Sequence, residues 1–193
     1  MRERKPVSFL TSNKGKFREA QAVAKVAGLR LQMLVATKIE IQSETLMQIA
    51  SYAAEEAAGR LGIPVVAEDA GLFIDKLNGF PGPYSSDVFK RLGNKGILKL
   101  MENISHRNAK FSSVAAFCAP WSTSKCFAGN VVGHISPGPR GAGGFGFDPI
   151  FIPSRGDGRT FAQMTIKEKN RLSHRAASFR KLSKWLLTVR ADW

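Results

Sequence analysis

The chain has 193 residues, 44% of them hydrophobic, and carries 29 Lys+Arg against 15 Asp+Glu, a formal charge of +14 at pH 7 with a pI near 10.2. That length suits one domain or a single compact two-lobed unit. No apolar run approaches the roughly 20 residues that cross a bilayer, and the start, MRERKPVSFL, lacks the apolar segment of a secretory leader, so a cytoplasmic protein is expected. The positive field points to an anionic partner, nucleic acid or a small polyphosphate, although a solvated basic surface alone accounts for much of it.

In chain order, Val7 to Leu10 reads as a first strand, followed by the polar turn Thr11-Ser12-Asn13-Lys14-Gly15 and a helix with Phe17, Ala20, Val23 and Ala24 on one face. Leu31 to Val35 is a second strand. Thr45 and Gln48 form a capping box opening a helix whose apolar positions are Leu46, Ile49, Ala50, Ala53, Ala57 and Leu61, ending near Gly62 and Pro64. Val65 to Ala67 is a buried strand expected to deliver Glu68 and Asp69 into a loop, with a continuation at Leu72 to Ile74. Helical segments span about Asp87 to Asn103. Phe111 to Ala119 and Cys126 to His134 read as hairpin strands around the turn Pro120 to Ser124, and Pro149 to Ile152 as a short strand after the glycine-rich Gly138 to Gly146. A last helix runs from about Asn170 to Val189, with Leu172, Ala176, Phe179, Leu182, Leu186 and Val189 inward. The order argues for an α/β fold with a mixed sheet in two lobes, 1–193 forming a single domain. Cys118 and Cys126 flank the hairpin turn, where two reduced, buried thiols are expected over a bridge.

Four groups could carry chemistry. Thr11, Ser12, Asn13, Lys14, Gly15 and Lys16 place hydroxyls, an amide and two ammonium groups at a helix N-terminus after a strand, an inventory suited to phosphate but without the GxxxxGK[ST] pattern. The turn could equally be an ordinary Ser/Asn turn with basic decoration. Glu68 and Asp69, with Glu40 and Glu44 upstream, offer carboxylates for a hard divalent cation, Mg2+ being the natural candidate, and for orienting a water. Gly143 to Pro149 sets Phe145 and Phe147 around flexible glycine, either a slot for a purine base or a loop anchored by core rings. Lys169 and Ser173-His174-Arg175 sit where a helix begins, capped by Thr165 with Glu168 or by Ser173, on a surface that could also be merely basic and amphipathic.

The segments TSNKGKFREA, AEDAGLFIDKLNGFPGPYS, GGFGFDPIF and EKNRLSHRA, in that order over nearly the whole chain, resemble the inosine triphosphate pyrophosphatase family. The resemblance implies an elongated mixed sheet with flanking helices, two lobes around a central nucleotide-binding cleft, and a homodimer. It implies Mg2+-dependent hydrolysis of ITP, XTP and dITP to the monophosphate and pyrophosphate. Thr11 to Lys16 would hold the phosphates, with Ala70 also in the substrate set. Asp69 would be the catalytic residue and a metal ligand, with Glu40 the second ligand. Phe145, Gly146, Phe147 and Asp148 would frame the base, and Lys169, His174 and Arg175 would bind the nucleotide and read its 6-oxo group. Where many relatives carry lysines this chain has Ala53 and Ser86, which Lys90, Arg91 or Lys95 could offset, and Gln48 stands where an acid is common. The alternatives are a basic nucleotide- or nucleic-acid-binding protein on the same fold with weakened catalysis, and a related pyrophosphatase for modified pyrimidines.

Overall fold

A computed structural model describes residues 5–189; Arg2, Arg4 and Arg190, part of the terminal basic charge, lie outside the described residues. The chain folds into two compact units. Of the described residues, the first takes 5–69, 113–129 and 175–189, and the second 70–112 and 130–174.

In the first unit β1 (Val7–Leu10) is fully buried and pairs in parallel with β2 (Leu31–Leu34) on one edge and with β3 (Val65–Ile74) on the other, Leu10 lying opposite Ala67. Val7 and Phe9 of β1 and Val65 and Val66 of β3 suit strands buried on both faces. Helix α1 (Lys14–Val26) turns Ala20, Val23 and Ala24 inward, and α5 (His174–Thr188) adds Ala176, Phe179, Leu182 and Leu186 to a core that includes Phe9, Leu31, Val66 and Phe117. Val189 lies past the end of α5 and is exposed, so the expected inward stripe stops at Leu186.

Helix α2 (Leu46–Leu61) starts at Thr45, whose side chain accepts from the Gln48 N–H, and ends at Gly62 in the left-handed conformation (φ +64) that glycine adopts without strain. Only half of the expected capping box forms, because the Thr45 N–H and the Gln48 side chain both bond to Ser43 Oγ.

The second unit packs around Leu72, Ile74, Ile97, Met101, Phe111, Phe147, Phe151 and Phe161. The short β4 (Pro81–Gly82) pairs antiparallel with the second half of β3, and β6 (Lys125–Ile135) pairs antiparallel with β7 (Phe151–Pro153). Helix α3 (Ser85–Leu100) is broken at Gly93, φ +61 and ψ −166, a conformation closed to other residues. With β5 (Asn108–Cys118) the sheet runs β2-β1-β3-β5-β6-β7, with β4 on β3, a mixed α/β architecture as expected. The expected last helix is two: α4 (Ile166–Leu172), opened by a complete Thr165/Glu168 capping box, and α5. They are separated by Ser173, whose backbone is extended (ψ 151). Cys118 and Cys126 are free thiols.

Candidate active site

β3 changes the setting of the acidic pair. The sequence suggested a strand ending at Ala67 and a loop carrying Glu68 and Asp69. Instead one ten-residue strand runs through both residues. Its parallel pairing with β1 stops at Ala67, so the carboxylates begin where β1 gives way to the Thr11 turn. Alternation along β3 then sends the two side chains to opposite faces and into different environments.

Glu68 is 2% exposed. Its Oε1 accepts from Ser113 Oγ at 2.8 Å and from Arg175 Nε at 3.1 Å, and its Oε2 lies 2.9 Å from Lys16 Nζ. Burial alone would raise the proton affinity of this carboxyl, but Arg175 and Lys16 outweigh it and hold Glu68 well below the usual carboxylate range. Arg175 also pairs through Nη1 with the buried Glu19 Oε2 at 2.7 Å, tying α5 to α1 and β3. An acid three positions after Lys16 on the inward stripe of α1 was a readable signal for Glu19, but its partner, 156 residues later, was not.

Asp69 is placed differently. Its Oδ2 is buried without a hydrogen-bond partner, and burial raises its pKa to about 6 against the lowering charges of Lys16 and Lys38, with Glu68 and Glu40 adding to the rise. Lys38, which no sequence pattern singled out, sits 2.5 Å from Glu40 Oε1 and 3.1 Å from the Glu68 carbonyl oxygen. Among the described residues, no three His, Cys, Asp or Glu side chains gather into a ready-made metal cage.

The Thr11 turn spends part of its inventory on itself. Asn13 caps α1 by accepting the Lys16 N–H at 3.0 Å, and Thr11 Oγ1 accepts the Asn13 N–H at 3.1 Å. Ser12 and Lys14 are exposed and Gly15 half-buried. With no acid in its first turn, α1 offers its positive end without internal competition.

In the second unit, Lys169 is 3% exposed, its Nζ 2.5 Å from Asp148 Oδ2 and about equally far from two aromatic faces, 5.0 Å from Phe145 and 5.2 Å from Phe161. Asp148 Oδ2 also accepts the Phe145 N–H at 2.9 Å, closing the loop on itself. A Cβ at Gly144 would lie 2.2 Å from that oxygen, so the loop needs glycine there. Phe147 is a core ring, edge-on to Phe89, whereas Phe145 is half-buried. Asn94, just past the α3 break, donates to the Gly146 carbonyl at 3.3 Å. His174 is buried and stacks on Phe111, centroids 4.7 Å apart and planes 11° from parallel. Ala70, the first residue of this unit, is half-buried.

The expected residues therefore fall into two sets. Thr11 to Lys16, Glu40, Asp69 and Arg175 belong to the first unit, and Ala70, Phe145 to Asp148, Lys169 and His174 to the second. Of the positions where lysines were expected, Ala53 is fully buried on α2 and Ser86 is exposed; Lys90, Arg91 and Lys95 are exposed on α3, Arg91 pairing with Asp87 at 2.9 Å.

The family model of the Ham1 family matches residues 7–185. A protein of Methanopyrus kandleri named dITP/XTP pyrophosphatase is 45% identical over 93% of this chain and 95% of its own length. One of Hyperthermus butylicus with the same name is 46% identical over 95% and 96%. Among solved structures, the Staphylococcus aureus Ham1 protein matches with a TM-score of 0.80 at 28% identity, covering 95% of this chain and 98% of that one. A HAM1 protein from Coxiella burnetii matches at 0.81 and 29%, covering 94% and 98%.

Proposed function

Because the chain belongs to the Ham1 family, we propose that it hydrolyses deaminated purine nucleoside triphosphates, dITP, XTP and ITP, to the monophosphate and pyrophosphate. Water attacks the α-phosphorus, the bond to the bridging oxygen breaks, and pyrophosphate leaves with that oxygen. The observation that carries this chemistry is Asp69: its Oδ2 is buried with no hydrogen bond, whereas each oxygen of the neighbouring Glu68 has a cation beside it, Oε1 bonded to Arg175 and Oε2 within 2.9 Å of the Lys16 ammonium.

That orphaned oxygen and the half-exposed Glu40 form a hard, sparse oxygen set that fits Mg2+, which takes one or two carboxylates and completes its shell with phosphate oxygens and water. Bound there, Mg2+ would supply a polarised phosphate oxygen and a more acidic water. Asp69 has to be ionised to hold the metal or to accept the proton of the attacking water, and either use needs the free lone pair on Oδ2. Glu68 does neither. It holds Arg175 and Lys16 in place, and the Lys16 charge also acts on Asp69. Ser12, Lys14 and the N-terminal N–H groups of α1 receive the phosphates, joined by the backbone at Ala70.

In this reading Phe145 covers the base, Phe147 and Asp148 hold the loop, and the backbone at Gly146 approaches the ring edge. Lys169 and His174 supply donors to the 6-oxo group. Adenine presents an amino group there and leaves those donors facing a donor, a mismatch that a buried site penalises strongly. Arg175, committed to Glu19 and Glu68, anchors the start of α5 that also carries His174. The assembly is taken as a homodimer of single-domain chains.

The test is a panel of ITP, dITP, XTP, GTP and ATP, with Mg2+ present and absent and both phosphate products assayed. Pyrophosphate should be released from the first three only and only with Mg2+. Orthophosphate as the first product, or ATP cleaved as fast as ITP, would sink the reading.

A further inference from the structure

The acidic centre of the first unit contains a cation that the phosphate loop does not supply. Lys38 lies in the irregular segment between β2 and α2, its side chain only 17% exposed. One hydrogen bond ties its ammonium to a strand carbonyl, that of Glu68, immediately before Asp69. The other goes to Glu40, whose carboxylate is 55% exposed. A lysine ammonium has three donors, and these two contacts leave one of them uncommitted. Lys38 and Lys16 are the two cations whose charges favour ionised Asp69. Lys16 is spent on Glu68. The alanine at position 53 and the serine at position 86 bring no charge at all.

We propose that Lys38 is an exchangeable counter-ion. It neutralises Glu40 in the free protein, and it turns to the substrate's polyphosphate once Glu40 engages a divalent cation. The inference rests on the pyrophosphatase reading for the identity of the substrate.

Charge has to balance around this half-buried ammonium. Glu40 and Asp69 are like charges, and a cation held by the Glu40 carboxylate and the Glu68 carbonyl offsets their repulsion. When Glu40 is taken by a stronger cation, the ammonium remains tethered by Glu68 O and becomes a shielded positive charge short of an anion. Leaving it so is costly, and the substrate phosphates are the anions that enter. Release from Glu40 and capture of phosphate are thus two halves of one movement of the Lys38 side chain.

This predicts effects of opposite sign that a merely structural brace cannot produce. Lys38→Gln keeps most of the stem and removes the charge. With Mn2+ alone, followed by electron paramagnetic resonance without nucleotide, the variant should bind the ion several-fold tighter because its competitor is gone. With inorganic tripolyphosphate added to the Mn2+-saturated protein, followed by calorimetry, it should bind about tenfold weaker, the loss expected for one charge-assisted contact. Lys38→Arg should restore tripolyphosphate binding. If Mn2+ binding is weaker or unchanged in Lys38→Gln, the exchange is refuted and Lys38 is a brace.

Glu40→Gln gives an independent measurement should Lys38→Gln fold poorly. It frees the ammonium, so tripolyphosphate alone should bind more tightly than to the unaltered protein, and unchanged or weaker binding refutes the proposal. The two readings fail separately. An unaltered protein that does not release pyrophosphate from ITP removes the pyrophosphatase assignment, while the ion and tripolyphosphate measurements still decide the exchange.

Discussion

At the scale of single residues, two neighbouring acids have been given contrary properties. Glu68 is buried and saturated with cations, and Asp69 is buried and left with a free oxygen. Asp69→Asn should lower kcat by at least about a hundredfold while leaving the far-ultraviolet spectrum unchanged; turnover above a tenth of the original would remove Asp69 from its role. Because the fold raises its pKa to about 6, the protonated, inactive form dominates below that pH, and in the metal-free protein the ionised form fills as pH rises through it. The rate at sub-saturating substrate should therefore climb between about pH 5 and about pH 7 unless Mg2+ displaces the proton, in which case raising Mg2+ shifts the climb to lower pH. Glu68 has the opposite sign. Its carboxyl is held below its unfolded value of 4.5, so its stabilisation is present throughout the neutral range and is lost progressively as pH falls from about 4.5 towards the lowered value. Glu68→Gln strands Lys16, leaves Arg175 its pair with Glu19, and should cost roughly 3 kcal/mol or more in denaturant unfolding at pH 7. The residue pattern alone marked both acids as candidates and the family resemblance singled out Asp69, but the physical difference was not legible, since it is made by Arg175 and Ser113, brought in from far along the chain.

At the scale of elements, periodicity identified most strands and helices, and its errors are instructive. β3 was broken in two because Glu, Asp and Gly are poor strand formers, yet pairing on through the segment overrides that preference. The last helix was drawn as one because its apolar spacing continues across Ser173, where the backbone turns extended and His174 starts afresh. Gly71 shows what the β3 pairing demands, since a Cβ there would sit 2.2 Å from the Gly82 carbonyl oxygen on β4. Gly71→Ala should therefore lower stability by about 2 kcal/mol or more, read as a fall in Tm, and an unchanged Tm would mean that β4 is free to move away. At the start of α2, Thr45→Ala removes the one side-chain cap and should cost about 1 kcal/mol.

At the scale of the molecule, net charge was the plainest signal in the sequence and the least specific. A chain at +14 meeting a polyanionic substrate should bind faster than a neutral one, so kcat/KM for ITP should fall by roughly tenfold between low salt and about 0.5 M salt, with kcat nearly constant. A flat salt profile would assign the charge to solubility alone. Family membership came from four ordered motifs spread over the whole length, a signal no single site gave.

The chain crosses between its two units after residues 69, 112, 129 and 174, so neither is one continuous stretch. That threading has a consequence during synthesis. Glu68 is made first, but the arginine that balances it follows 107 residues later. Until the ribosome has delivered Arg175, the strand that carries the acidic centre cannot close over its own charge. A chain cut short before that point is therefore expected to leave Glu68 without its arginine and the first unit unable to complete its core.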